Sequence, residues 1–516
     1  MNKSTAVLHS APTARTNLLA NYTGRISSAA FSIIFVPLYV KFLGIEAFGL
    51  VGFYTTLIGV LGIFDLGISA TVNRELAGAD IDEEHAQRSR DLVKTLSLIY
   101  WTVAAFLALT VGLNAHIIAL NWLNQSSLSE TAIGHVIILM SITLAGQMLF
   151  GFYSAGLYGL QRHAAANIVV VCTVACRTAG ATLILWLVNP TITAFFICQA
   201  MSVTLGLAVN AAVMHHYMPS GRGNVRVELL REVYKFALGA FIAASFSMLL
   251  YQVDKIMLSG MLPLKQFGYY AFAVTAAGIL PTLANPIYTT YFSAFSRKVA
   301  QRASYELVAQ YHEASQFFAI VIAPASLSLI FFARQVVFAW SGSHALTSNV
   351  RVLLPILAVG MALNSATLLT NGLQWAHSWT SLSAIANAAI FLALLVALVF
   401  VVPSYGAVGA ASAWTLANAI YLVISILVMH RRILVGELRR WFLHDVGPAV
   451  GISTCVCVVI SEFAPTPNGR LWSLLLVLLA YSLQLIAAVL VTENARRLAF
   501  RLSRRVFRIH PQAPSP

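Results

Sequence analysis

Charge is scarce in this chain. Asp, Glu, Lys and Arg together make up 10% of its 516 residues, while 59% are hydrophobic. A soluble protein carries about 25% charged residues, so a water-exposed globule is excluded. Cysteine is also scarce: the five (Cys172, Cys176, Cys198, Cys455 and Cys457) all fall in apolar stretches. That placement excludes a disulfide scaffold and suits small packing residues. Cys172 and Cys176 share a helix face, but no His accompanies them, so no metal site is expected. The chain lacks GxxxxGK[ST], so no phosphate loop for ATP is expected. HExxH and GxSxG are missing as well. No secretory leader is expected. The first sixteen residues are polar, and the apolar stretch after them has no Ala-x-Ala exit. Acid is short against base: 18 Asp and Glu stand against 32 Lys and Arg, a net charge of +14. In so apolar a chain that excess reads as loops held against anionic lipid headgroups, not as a nucleic-acid surface.

What is present is hydrocarbon length. Apolar stretches recur at about 17–40, 46–70, 93–115, 131–158, 164–188, 191–215, 234–258, 266–294, 314–334, 350–374, 380–402, 405–429, 446–463 and 471–492. About twenty apolar residues cross the hydrocarbon of a bilayer. Backbone amides in lipid must be satisfied within the segment, so the stretches are helices. The expected fold class is an all-α polytopic membrane protein with about 14 transmembrane helices. An even number puts both termini on one side. On that reading the termini and alternate loops hold 24 Lys and Arg, and the opposite loops and span ends hold six. The imbalance predicts cytosolic termini in a multi-pass membrane protein. The outside loops are short, the longest at 116–130 and 335–349, so no soluble domain is expected on that face. The basic tail 493–516 ("ARRLAFRLSRRVFRIH" within it) reads as lying along the inner leaflet.

The chain also repeats itself. "IEAFGLVGFY" at 45–54 returns as "LKQFGYYAFA" at 264–273, and "LYGLQRH" at 157–163 as "TNGLQWAH" at 370–377. The Phe-Gly pairs lie 219 residues apart and the Gly-Leu-Gln triplets 213 apart. Two echoes in one order at nearly one offset predict a duplicated unit of about two hundred residues. The echoes are six helices apart, an even number, so the copies point the same way. Two six-helix lobes, 17–217 and 234–430, are therefore expected about a pseudo-two-fold axis along the membrane normal. An extra helix pair at 446–492 lies outside the repeat.

Two cations interrupt the spans. Arg177 lies near the middle of helix 5 in "CTVACRTAGATLILW". Arg at the bilayer centre costs about 3 kcal/mol on insertion scales, so it should face water or a partner; an aqueous cavity is the preferred reading and a structural ion pair the other. Arg25 stands about 12 Å into helix 1 at the helical rise. Snorkelling to the inner headgroups and an ion pair with Asp65, at a comparable depth on helix 2, are both open. Asp254 and Lys255 are adjacent near the outer end of helix 7 and read as an interfacial pair, with coupling as the functional alternative. Gln147, Gln199, Asn364 and Asn387 read as interhelical glue. "DID" at 80–82, in the acidic loop "ADIDEEH", reads as solvated loop.

Helices 1 and 2 carry a family likeness. Arg25, Pro37-Leu38-Tyr39, Leu43-Gly44, Phe48-Gly49 and Asp65-Leu66-Gly67 together resemble the opening of bacterial oligosaccharide flippases. These are the polysaccharide transporters of the multidrug/oligosaccharidyl-lipid/polysaccharide superfamily. "VDKIMLSGMLPLKQFGYYAFA" at 253–273 and "YGAVGAASAW" at 405–414 resemble the same family. The likeness weakens across 93–130 and after about 430. It implies a transporter that moves an undecaprenyl-pyrophosphate-linked oligosaccharide from the cytosolic to the periplasmic leaflet. Arg25 matches a headgroup-binding position on helix 1 of the related lipid II flippase, while Arg177 is its chemical analogue only. The implied partners are that lipid-linked glycan, anionic membrane lipid and glycan polymerases or ligases, with no cofactor and no metal. Two other classes stand against this reading. An ion-coupled multidrug exporter of the same superfamily would need acidic cavity residues for cationic drugs. A membrane glycan polymerase or ligase would need a larger periplasmic loop.

Overall fold

In the computed structural model the described residues are 14–77, 82–123, 127–379, 381–463, 469–492 and 496, and part of the side chains of the first and ninth helices fall outside the description. All regular structure among them is helical, so the all-α membrane class holds. The chain divides into two compact units, 1–268 and 269–516. The first runs α1 (Ala14–Ile34), α2 (Val36–Phe64), α3 (Ile68–Leu76), α4 (Glu83–Leu113), α5 (Ala115–Asn121), α6 (Glu130–Gly159), α7 (His163–Leu187), α8 (Ile192–Tyr217) and α9 (Glu228–Met261), and ends in α10 (Leu264–Ala277). The second continues through α11 (Ile279–Ala300), α12 (Ser304–Phe331), α13 (Ala333–Ser341), α14 (His344–Val350), α15 (Leu353–Ala376) and α16 (Ser381–Arg432). It closes with a short turn α17 (Leu438–Arg440), a π-turn (Trp441–Val446), α18 (Gly447–Phe463) and α19 (Arg470–Val491).

Eleven helical segments among the described residues are long and apolar enough to cross a membrane, fewer than the fourteen stretches expected. One reason is that α2 and α16 each carry parts of two stretches through a single break. The breaks are Gly44 (φ 81°) and Gly406 (φ 54°), left-handed conformations open to glycine at little cost. The longest expected outer loops are not bare: 116–130 contains most of α5, and 335–349 contains parts of α13 and α14.

The core of the first unit joins Val72 of α3, Leu92 and Tyr100 of α4, Phe152 of α6 and Met214 of α8. In the second, Phe295 of α11, Tyr311 and Phe318 of α12, Leu373 of α15 and Met429 of α16 meet. In lipid such contacts stabilise through close packing, since excluding hydrocarbon gains nothing. Outward-facing Trp186, Phe400 and Trp472 are each more than 60% exposed; on helices of this length lipid is their solvent.

The start of α4 is charged and buried, which calls for partners. Asp91 is fully buried and accepts from Gln87 Nε2 and from the Asn224 backbone N–H, both at 2.7 Å. Arg226 Nε lies 2.9 Å from its other oxygen. Arg90 Nη1 donates to the Ser220 carbonyl at 2.7 Å. The segment that joins α8 to α9 is thereby strapped across the first two turns of α4. Asp82, the last residue of "DID", is exposed and caps α4 by accepting from the His85 N–H at 2.8 Å. That bond, with the His85 side chain, holds its carboxyl below the usual aspartate value.

Candidate functional site

Arg177 lies in α7, fourteen residues from one end and ten from the other. At the helical rise that is about 21 and 15 Å. The residue is half-buried. Among the described residues no carboxylate pairs with it, and its neighbours there are neutral. The hydroxyls of Tyr39 and Tyr54, both on α2, lie within electrostatic range of its guanidinium. Tyr39 donates to the Thr178 carbonyl one residue along at 3.1 Å, which pins α2 to α7 beside the cation. Gln199 of α8 donates to the Arg177 carbonyl at 3.5 Å. The Tyr54 hydroxyl is buried and finds no hydrogen-bond partner among the described residues. The described groups near Arg177 are thus neutral phenols, with the Gln199 amide on its main-chain carbonyl.

Arg25 falls in α1, but its side chain lies outside the described residues. Asp65 ends α2 at the break before α3. Its carboxylate accepts from the Ser69 and Tyr100 hydroxyls, and these hydroxyls lie 3.4 Å from each other. The structure thus engages Asp65 with neutral donors from α3 and α4.

Asp254 and Lys255, the expected pair, form an ion pair at 3.2 Å with both side chains buried within the protein. Lys255 also donates to the Tyr251 carbonyl, and its ammonium stands 4.6 Å from the centre of the Tyr251 ring. Beside them Trp122 Nε1 donates to Ser259 at 3.0 Å, tying the end of α5 to α9. Asn364 donates to Asn418 across α15 and α16 at 2.8 Å, which is interhelical glue. The basic tail 493–516 lies outside the described residues apart from Arg496.

Sequence reasoning misses His312, on α12. Its Nδ1 meets the Asp445 carboxylate and its Nε2 lies 3.1 Å from Glu437. The acids stand 125 and 133 residues away, at the margin of a span where charge reads as headgroup anchoring. The one available signal was an acid, Asp445, directly before an apolar stretch whose π-turn then buries it.

Residues 14–299 match the family described as polysaccharide biosynthesis protein. A putative O-antigen transporter from Shigella flexneri is 22% identical over 399 residues, covering 72% of this chain and 87% of that one. Among solved structures, the lipid II flippase MurJ in an inward closed conformation superposes with a TM-score of 0.68 at 14% identity, covering 92% of this chain and 98% of that one. An inward-facing multidrug resistance MATE family transporter of the MOP superfamily gives 0.66 at 14% identity, covering 81% and 99%. The family match covers more than half of the 516 residues, and the structural likeness carries the fold; this chain is a polytopic helical membrane protein that belongs to the polysaccharide biosynthesis protein family.

Proposed function

We propose that the chain is a flippase for a lipid-linked oligosaccharide, and that Arg177 contacts the anionic headgroup of its cargo. The observation that carries the reading is the lone Arg177: a guanidinium about 15 Å or more from either end of its helix, beside two tyrosines and without a described carboxylate. An intramembrane cation is costly unless it serves a ligand, a partner or water. A pyrophosphate carries about two negative charges and presents oxygens that match a guanidinium fork. The family match to polysaccharide biosynthesis, the O-antigen transporter relative and the fold of a lipid II flippase all favour a glycan carrier. The finer reading is an undecaprenyl-pyrophosphate-linked repeat unit of O-antigen, capsule or exopolysaccharide, moved from the cytosolic to the periplasmic leaflet of the inner membrane. Both termini are placed in the cytosol by the Lys and Arg distribution, and Arg25 acts with Arg177. A cationic-drug exporter on the same fold would want a carboxylate where Arg177 stands.

The test is complementation of surface glycan in a strain lacking its own flippase. Arg177→Gln should abolish rescue at unchanged expression, and Arg177→Lys should restore only part of it, since a point charge lacks the bidentate fork. Full rescue by Arg25→Gln and Arg177→Gln together would overturn the headgroup assignment. Restored resistance to cationic drugs without restored glycan would favour the exporter.

A further inference from the structure

His312 is 1% exposed and held on both ring nitrogens. One holder, Asp445, is fully buried, and its other oxygen accepts from Gln316 Nε2 at 2.9 Å. The second, Glu437, is partly exposed. The histidine and glutamine come from α12; the acids come from the turn and π-turn that lead into α18. The cluster therefore joins the C-terminal helix pair to the body of the second unit.

An ionised carboxylate only accepts hydrogen bonds. Neutral imidazole has one N–H and can satisfy one of the two acids; imidazolium donates to both. With both carboxylates ionised, the full set of contacts is open only to the protonated ring. The surrounding charges do not change that count. Arg440 lies 3.9 Å from Glu437 and is largely exposed. His430 of α16 shares its Nδ1 with the Ile426 carbonyl at 2.9 Å, so that nitrogen carries the proton. Its Nε2 is buried without a described partner, so His430 is read as neutral. Tyr311, next to His312, has its ring 6.1 Å away. Glu313 turns to Tyr291 of α11 at 3.5 Å. His444, Arg431 and Arg432 are exposed. The joint also has room to move: a cavity of about 210 Å³ is bounded by Tyr311 and Ser315 on one side and by Trp441 and Val446 on the other. A π-turn at such a joint often marks a functional site.

We propose that His312, Asp445 and Glu437 form a proton-binding latch that holds the π-turn and the start of α18 against α12. Loss of the Nε2 proton to water, along the exposed Glu437 side, leaves the Nδ1–H with Asp445 and turns a lone pair toward Glu437. Glu437 then swings out and the turn 437–446 loosens. The latch lies in the second unit, apart from Arg177, and holds whatever the cargo is.

The experiment is hydrogen exchange of the full chain in lipid nanodiscs, followed by mass spectrometry, from about pH 5 to about pH 8, the range in which histidine changes charge. Rates are corrected for intrinsic exchange, and the proton is the only ligand varied. Peptides covering 434–450 should exchange several-fold faster at the high end. His312→Gln should make their corrected rates independent of pH. Glu437→Gln removes one acceptor charge at a partly exposed position and should also flatten the profile, so it decides the matter if His312→Gln does not fold. Equal corrected rates across the range in the unaltered protein would overturn the latch, as would a His312→Gln profile matching it. Exchange reads no transport, so either result is separable from the fate of the flippase reading.

Discussion

Gly49 and Gly268 occupy reciprocal places. A Cβ on Gly49 would stand 2.6 Å from the carbonyl oxygen of Leu264, and one on Gly268 would stand 2.2 Å from that of Ile45. Ile45 and Leu264 open the two echoed segments, and the glycines sit four residues further along each. The two echoed segments of the sequence therefore meet in space, backbone against backbone, where α2 crosses the start of α10. Further along α2, Gly59 and Gly62 face only the flexible side chains of Gln252 and Met248 of α9, unlike the main-chain crossings at Gly49 and Gly268.

Because the obstacle at each crossing is a main-chain oxygen, side-chain movement cannot relieve it. Gly268→Val should lower stability by about 1–3 kcal/mol, the usual cost of overpacking, read as a drop in thermal unfolding midpoint in detergent. Gly134→Ala is the control: nothing lies within 4 Å of its added methyl, and its helix should be slightly favoured. Equal melting of the two variants would contradict the crossing.

The Tyr54 hydroxyl is buried with the Gln147 side chain near it, but no hydrogen bond of good geometry closes among the described residues. Removing an unsatisfied buried polar group is neutral or stabilising. Tyr54→Phe should therefore melt at or above the parent temperature. If the hydroxyl serves an anionic headgroup together with Arg177, surface-glycan rescue should fall at the same time. A variant that loses stability would show instead that the hydroxyl is satisfied in the membrane.

The strap across α4 depends on Asp91. Asp91→Ala would free the Asn224 N–H, the Gln87 amide and Arg226 at once. Trypsin should then cut at Arg222 or Arg226 several-fold faster than in the parent, in limited proteolysis followed by mass spectrometry. Loss of a buried hydrogen-bonded network is among the mechanisms that give large destabilisation. Unchanged cutting would show that the strap is held by other means.

Asp82 gives a pH signature on the soluble side of α4. Its carboxyl is held below the usual value, first by the His85 backbone N–H. The cap therefore supports the helix start above the unfolded aspartate value of about 3.9, and loses that support as pH falls through the lower folded value. Corrected amide exchange over 83–90 should rise as pH falls through the folded value, and Asp82→Asn, a neutral cap, should not show the rise. A rise in both would place the cause elsewhere.

Much of the architecture was legible because hydrocarbon is a blunt selector. A stretch of about twenty apolar residues leaves little choice but a helix, and the fourteen stretches fall on helical structure. The echoed triplets were legible too, and in each unit their glycines do similar work. Gly159 lies against Asn73 and Leu76 of α3, and Gly372 against Tyr288 and Phe292 of α11. The partners of individual charges were less legible. Local pattern did not show that Asp254 and Lys255 bury against each other and Tyr251, or that Asp65 takes the hydroxyls of Ser69 and Tyr100. His312 itself gave no signal, because its acids lie more than a hundred residues downstream; only Asp445, an acid directly before an apolar stretch, hinted at the cluster.

The amino-acid sequence by itself determined the solvent and the helical character of the spans, since each follows from local composition and from the cost of an unpaired amide in lipid. Tertiary structure alone decided which charges are paired: Arg177 beside tyrosines, Asp91 under a strap, His312 between two acids. Pairing depends on distances between helices far apart in the chain, and a charge in a low-dielectric interior is settled by the few groups within about 4 Å of it, which no local pattern records.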